Sequence, residues 1–418
     1  MSALVRATDR GLYCEAGGFY IDPWQAVSRA VITHGHTDHA RWGHKRYLST
    51  PTGAVVLHAR FGKYVEGIVD ELAYGQRERI GDAVVSFHPA GHVLGSGQVR
   101  IEHAKTGEVW VVSGDYKTQD DGVSEPFMPV RCHTFITEST FGLPVYHWRP
   151  QAEVMAQLNA WWKCNADEGR TCMVACYALG KAQRIMGGLD PSIGPILMHG
   201  ALCKCTEAYR RAGVTLPQVE HATQERVREA KGRAIVLAPP SAVRSAWAFN
   251  LVKKNEVKDL STAMASGWMQ IRGTRRRRSL DTGFALSDHA DWDGIMSSIR
   301  ETGAEAVGVT HGSIGPVVRY LNERGIKAFA VPTHWEGEAG AEEGGGGEEG
   351  ETGSGGARET EEEAACAEGE AGFSGGKMPP PDGARDAGGG ETPPPHDAQD
   401  GRTAETPPPH GEGGGGGA

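Results

Sequence analysis

Apolar residues in this chain come in short runs, and each run stops beside glycine or an ionisable side chain. In residues 1–30, Gly17-Gly18 marks a turn and Phe19-Tyr20-Ile21 a strand that ends at Asp22-Pro23. Ala30-Val31-Ile32-Thr33 predicts a buried strand ending at His34. Residues 57–74 read as a helix. Val84-Val85-Ser86-Phe87 alternates as a strand does and leads into Ala90-Gly91-His92. Further β-rich runs stop at Asp115, Glu138, His289 and His311. Neighbouring strands bring their ends to a common edge, so these positions, distant in sequence, are expected to converge.

Between about Leu143 and Thr282 the pattern becomes an alternation of helix and strand. Val154, Met155, Leu158, Trp161 and Trp162 fall at helical spacing. Residues 171–177, 194–199 and 233–238 read as strands, and Gly180-Lys181-Ala182-Gln183-Arg184 opens a helix. This is a βα-type insert separating Glu138 from His289. After it, Trp292, Ile295, Met296 and Ile299 make one apolar stripe capped by Asp291. Ile314, Val317, Val318 and Leu321 make another, closed by Gly325, and residues 326–331 predict a last strand. The expected division is 1–145, an insert at 146–282, a return at 283–334, and a tail at 335–418. The tail is Gly, Glu, Pro and Thr with almost nothing to bury and is expected to be disordered.

Charge follows the same division. The 418 residues carry a net charge of −10, yet residues 335–418 hold 20 acidic and 4 basic residues, leaving 33 acidic and 39 basic in the rest. A mildly basic body favours a polyanionic partner. The N-terminus has no apolar leader and no segment has the length of a membrane span, so a cytoplasmic protein is expected. The eight cysteines follow neither disulfide nor zinc-finger spacing and read mostly as structural thiols.

The candidate chemistry centres on His34-Gly35-His36-Thr37-Asp38-His39, three imidazoles and a carboxylate within six residues after a buried strand. One loop cannot wrap a single ion on all sides, whereas two adjacent ions can use four such ligands. His34, His36 and His92 with Asp115 would hold one metal; Asp38, His39 and His311, with Asp115 bridging, would hold the other. Asp22 would orient this loop by hydrogen bonding behind the ligands. Such a pair activates water for hydrolysis, here at phosphorus. Glu138 and His289 remain, His289 as a general acid for a poor leaving group and Glu138 as its partner, so Asp38, Glu138 and His289 are the catalytic candidates. Lys181 and Arg184, at a helix start, and Arg275-Arg276-Arg277-Arg278 are candidate phosphate contacts. Trp268 reads as a core residue or a ring for base stacking.

The ordered motifs HGHTDH, AGHVLGS (90–96), SGDY (113–116), ITESTFG (136–142), LSDHAD (286–291) and VTHG (309–312) resemble the metallo-β-lactamase-fold nucleases of the β-CASP group. GLYCEAGGFYIDPW (11–24), YALGKAQR (177–184) and GWMQIRGTRRRR (267–278) further resemble the bacterial ligase-associated DNA exonucleases. The resemblance spans residues 4–334. It implies an α/β, four-layer αββα sandwich with an inserted α/β β-CASP domain, and two zinc ions, with manganese as the alternative. It also implies a DNA exonuclease working in end processing beside an ATP-dependent ligase and a helicase. A histidine at the position of His311 is typical of the RNA-processing members, so a ribonuclease on the same fold is the alternative. A small-molecule metallo-hydrolase is the lesser one.

Overall fold

The first strands are short because glycine turns at Gly11 and Gly17-Gly18 and the prolines Pro23 and Pro51 interrupt them. Six of them, in spatial order Val5–Ala7, Leu12–Cys14, Phe19–Ile21, Ala30–Val31, Tyr47–Ser49 and Val69–Glu71, make one sheet, antiparallel over the first three and parallel thereafter. A second sheet runs Lys327–Ala330, Ala306–Gly312, Thr134–Ser139, Val109–Val112, Gly97–His103, Ala83–Pro89, Glu78–Ile80. The computed structural model describes residues 3–253, 260–271 and 280–334. The 335–418 tail, and with it the expectation of disorder, lies outside the described residues.

The two sheets share one apolar core. Leu12, Phe19, Ile21 and Val31 of the first meet Val85, Phe87, Val99 and Ile101 of the second, all fully or nearly fully buried. On the other face of the second sheet, Val111, Phe135, Val307 and Val309 pack on the helices Trp292–Thr302 and Ile314–Glu323 through Ile295, Ile299, Val317 and Leu321. Asp291 caps the first of these helices by accepting the Gly294 N–H, as its sequence position predicts. Ile32, Tyr47 and Leu57 form a smaller core under the helix Pro51–Phe61.

The third sheet is wholly parallel: Glu220–His221, Ile196–Met198, Ile235–Ala238, Thr171–Ala175, Leu260–Ala265, Thr282–Phe284. A parallel sheet covered on both faces has strands that are apolar throughout, and every residue of Thr171–Ala175 and Ile235–Ala238 is buried. Helix Gln151–Asp167 supplies Val154, Leu158 and the fully buried Trp162 to one of those faces.

One expected element is corrected. Residues 57–74 are not a helix. The helix begins at Pro51, where Thr50 accepts the Gly53 N–H and proline suits the first turn, and it ends at Phe61. Gly62, at φ 53°, stops it; a 3-10 turn Gly62–Val65 and the strand Val69–Glu71 follow. Among the described residues no helix is long and apolar enough to cross a membrane.

Strand direction positions the site. Phe19–Ile21 is parallel to Ala30–Val31, so Asp22 and the HGHTDH loop leave at one edge. In the second sheet Ala83–Pro89, Val109–Val112, Thr134–Ser139 and Ala306–Gly312 all run the same way, two of them through the antiparallel Gly97–His103. Their C-terminal ends deliver His92, Asp115, Glu138 and His311 together.

Candidate metal centre

Asp22 leaves its strand at φ 42°, a left-handed conformation uncommon for a residue with a side chain. The turn aims the buried carboxylate at the neighbouring loop. Its Oδ1 accepts the Thr33 N–H at 2.7 Å, and its Oδ2 accepts the Thr33 hydroxyl and stands 2.8 Å from His39 Nδ1. A carboxylate on Nδ1 leaves Nε2 as the atom that faces the centre. There His39 Nε2 lies 3.5 Å from Asp115 Oδ2 and 3.7 Å from Asp38 Oδ2. Burial lowers the His39 pKa, but Asp115, Asp38 and Asp22 outweigh it and lift the value to about 10. This half of the site is a place for positive charge.

Asp115 is the hub. Gly114 before it, at φ 57°, passes so close to Thr33 that a Cβ would lie 2.6 Å from that side chain; only glycine lets this loop meet the histidine loop. Asp115 Oδ2 is 3.6 Å from His34 Nε2 and 3.8 Å from His92 Nε2, and Oδ1 is 3.4 Å from His311 Nε2. Ligand atoms of His34, His36, His92 and Asp115 all lie within 4.8 Å of one another, as do those of His39, Asp115 and His311. Asp38 stands at the more open side, its side chain 26% exposed. Burial raises its pKa, but His39 and His36 pull it down to about 2, so it is an anion.

Whether the donors suit a metal can be tested on the rings themselves. His36 Nε2 faces the Leu179 carbonyl at 3.1 Å, and His92 Nδ1 faces the Asp288 carbonyl at 2.6 Å. Carbonyls only accept, so each of those nitrogens carries a proton. Burial lowers the pKa of both rings, His92 well below the ordinary value, so they stay neutral. The lone pairs of His36 Nδ1 and His92 Nε2 then confront each other at 3.0 Å. Two lone pairs at that distance repel unless a cation stands beside them. His34 Nε2 and Asp115 Oδ1 are buried without a hydrogen bond among the described residues, as donors reserved for an ion would be. The residues fit a metal.

Beside this hub Glu138 sits at a shift in the pairing of Thr134–Ser139 with Ala306–Gly312, an irregularity that turns a side chain out of register. Its carboxylate accepts the Tyr116 N–H at 2.9 Å and meets His289 Nδ1 at 2.9 and 3.0 Å. Burial raises the Glu138 pKa, but His289 more than offsets it and holds the value at about 2. His289 Nδ1 is 4.0 Å from Asp115 Oδ2, so the pair adjoins the metal donors.

The proposed phosphate contacts come out differently. Lys181 and Arg184, at the start of the helix Lys181–Gly188, are buried, not displayed. Lys181 Nζ lies 3.2 Å from Asp288 Oδ2, and an Arg184 guanidinium nitrogen 3.0 Å from Asp288 Oδ1; both cations also donate to backbone carbonyls at Leu286 and Ser287. Cations are rarely buried unless paired, and Asp288 provides the pairing. Burial raises the Asp288 pKa, yet Lys181, Arg184 and Lys117 bring it down to about 2. Sequence reasoning assigned Asp288 no role. Its one signal was its place directly before His289, because its partners lie more than 100 residues earlier. Trp268 is partly buried, its ring 4.9 Å from Phe141 and 5.8 Å from Tyr146. Arg275, Arg276, Arg277 and Arg278 lie outside the described residues.

No family model matches the chain. Among curated proteins it is 30% identical over 326 residues to a "Probable DNA ligase" of Opitutus terrae, covering 77% of this chain and 30% of that protein. It is 30% identical over 155 residues to the cleavage and polyadenylation specificity factor subunit 3 of Dictyostelium discoideum, covering 34% of this chain and 19% of the relative. It is also 25% identical over 225 residues to transcription termination factor FttA of Methanosarcina mazei, covering 44% and 35%. The chain thus spans about a third or less of the length of these relatives. Among solved structures, a protein of unknown function from Enterococcus faecalis V583 shares the fold with a TM-score of 0.50 at 11% identity, over 74% of this chain and 80% of that one.

Proposed function

Because the chain belongs to the β-CASP group of metallo-β-lactamase-fold nucleases, we propose that it is a metal-dependent phosphodiesterase that shortens DNA from an end. The observation that carries this reading is the convergence of five histidines, His34, His36, His39, His92 and His311, on Asp115, with the Glu138–His289 pair against the same carboxylate. On this reading residues 1–145 and 283–334 form the αββα sandwich and residues 146–282 the inserted β-CASP domain.

His34, His36, His92 and Asp115 would hold one ion, and Asp38, His39, His311 and Asp115 a second, with Asp22 fixing the His39 ring. A pair of zinc ions, or manganese in their place, supplies when bound a water of lowered pKa and charge stabilisation for an in-line displacement at phosphorus. His289 holds a proton on Nε2, the nitrogen that Glu138 does not occupy, and gives it to the departing sugar oxygen as the P–O bond breaks. Glu138 stabilises the protonated ring beforehand and is fixed in turn by the Tyr116 N–H.

The relative named as a DNA ligase aligns with 77% of the chain, against 34% and 44% for the two whose names concern RNA or transcription, and this favours DNA and work beside a ligase. The RNA reading is supported by those same two relatives. Matched end-labelled single strands of DNA and RNA, incubated with the zinc-loaded protein and with an Asp38→Ala/His39→Ala control, separate the two. A ladder receding from one DNA end, absent in the control and weaker on RNA, is the expected result. Preferential RNA cleavage moves the protein to the ribonucleases, and no cleavage of either rejects the nuclease reading.

A further inference from the structure

Two large aromatic side chains stand in solvent beside the metal loop. Trp42 is 70% exposed and Tyr64 66%, with ring centroids 6.0 Å apart and planes inclined at 38°. Tryptophan usually buries most of its surface, so an exposed pair of rings needs an occupant. Trp42 follows His39 by three residues, which keeps their Cα atoms within about 11 Å. Tyr64 lies on the 3-10 turn Gly62–Val65. Arg60 fastens the two segments: its guanidinium donates to the Gly35 carbonyl, to the Ala40 carbonyl at 3.3 Å and to the Thr37 hydroxyl at 3.1 Å. The segments that carry the two rings are therefore tied to the metal loop.

The charge around them selects the occupant. Residues 41–46 and 60–66 contain five Lys or Arg and one acid, Glu66. Arg46 is paired with Asp70, but exposed Arg41, Lys45 and Lys63 make no ion pair among the described residues. Exposed rings interleaved with exposed cations, Lys63 Nζ standing 5.8 Å from the Tyr64 ring centroid, match a polymer of aromatic bases joined by phosphates; an acidic peptide would use the cations and leave the rings wet.

We propose that Trp42 and Tyr64 form a stacking platform for the unpaired bases of a single-stranded polynucleotide end, with Arg41, Lys45 and Lys63 on its phosphates. The proposal deepens the nuclease reading and rests on it: the platform would hold the strand within one or two nucleotides of the bond that is cut. A duplex hides its base faces, so the platform discriminates in favour of single strands.

The test is binding of a fluorescein-labelled single strand, in DNA and RNA forms, and of a blunt duplex, by anisotropy with EDTA present so that nothing is cut. Trp42→Ala and Tyr64→Ala are each expected to weaken single-strand binding about tenfold or more and duplex binding little; Trp42→Phe restores most of it. Reversing Lys63 to Glu should reduce the dependence of affinity on salt. Unchanged single-strand affinity in the Trp42→Ala/Tyr64→Ala double variant overturns the platform. So does loss of bound zinc in the Tyr64→Ala protein, which would make the ring a prop for the loop. Zinc-loaded wild type assayed on bis(p-nitrophenyl) phosphate separates the two ideas. A protein that binds strands through the rings yet hydrolyses no diester refutes the nuclease and leaves the platform standing.

Discussion

At the scale of single residues, the chemistry depends on which nitrogen of each ring is tied up. Backbone carbonyls take one nitrogen of His36 and of His92, Asp22 takes one of His39, and Glu138 takes one of His289. His36 and His92 keep a lone pair on the other nitrogen for an ion, while the carboxylates around His39 lift its pKa to about 10, so an ion there would displace a proton from Nε2. His289 differs in its proposed role: its Nδ1 meets Glu138, whose carboxylate is held ionised, and it is proposed to give a proton from the other nitrogen rather than a lone pair to an ion. His289→Ala is accordingly expected to retain both metals by elemental analysis while slowing hydrolysis about 10²- to 10⁴-fold, more for alkyl than for p-nitrophenyl leaving groups. Loss of metal would make His289 a ligand instead. The HxHxDH spacing, His92, Asp115 and His311 were all legible in the sequence as candidate donors because each stands at the end of an apolar run, and the fold brings them together. The tautomers were not, since Leu179 and the Asp288 carbonyl reach these rings from far along the chain.

Among the elements, the helix Lys181–Gly188 shows where sequence pattern misleads. Gly180 followed by Lys181 and Arg184 has the form of an anion site, yet in the fold the anion is Asp288, a residue of this same chain. Asp288 then positions His92 through its carbonyl and precedes His289, so the helix Lys181–Gly188 braces two histidines of the candidate site. Asp288→Asn removes a buried carboxylate from beside Lys181 and Arg184 and is expected to destabilise the protein by about 3–5 kcal/mol, read as a lower urea midpoint at unchanged slope. A variant as stable as the wild type would show that the remaining partners of these cations, the Leu286 and Ser287 carbonyls and Gln151 among them, suffice without the carboxylate. The misplaced helix of residues 57–74 has a similar origin: its apolar positions serve a helix end, a 3-10 turn and a strand in succession, and the glycines at 62 and 67, both at positive φ, mark the breaks.

In the molecule as a whole, the candidate donors are drawn from the ends of strands in two sheets, and all lie between His34 and His311. The described chain continues only to His334, whose ring contacts Trp24, after Val331 has closed the core. Removing residues 335–418 is therefore expected to leave zinc content and diester hydrolysis unchanged. A truncated protein that loses its metal would assign the acidic tail a part in the site. Without the tail the net charge turns positive, so affinity for strands at low salt should rise or hold, as titration with a labelled oligonucleotide would register.

Periodicity and strand-end chemistry are local properties, and the sequence by itself determined what depends on them: the short strands, the capped helix Trp292–Thr302, the histidine loop and the ionisable residues gathered at one edge. Burial and pairing are not local. Whether Lys181 meets substrate or Asp288, whether Asp22 reaches the loop, whether Trp42 finds Tyr64, and which imidazole nitrogen faces the centre depend on residues from 11 to 196 positions apart. Those outcomes were decided only when the sheets closed on one another and excluded water, because a buried charge or ring nitrogen must then take whatever partner the packing brings.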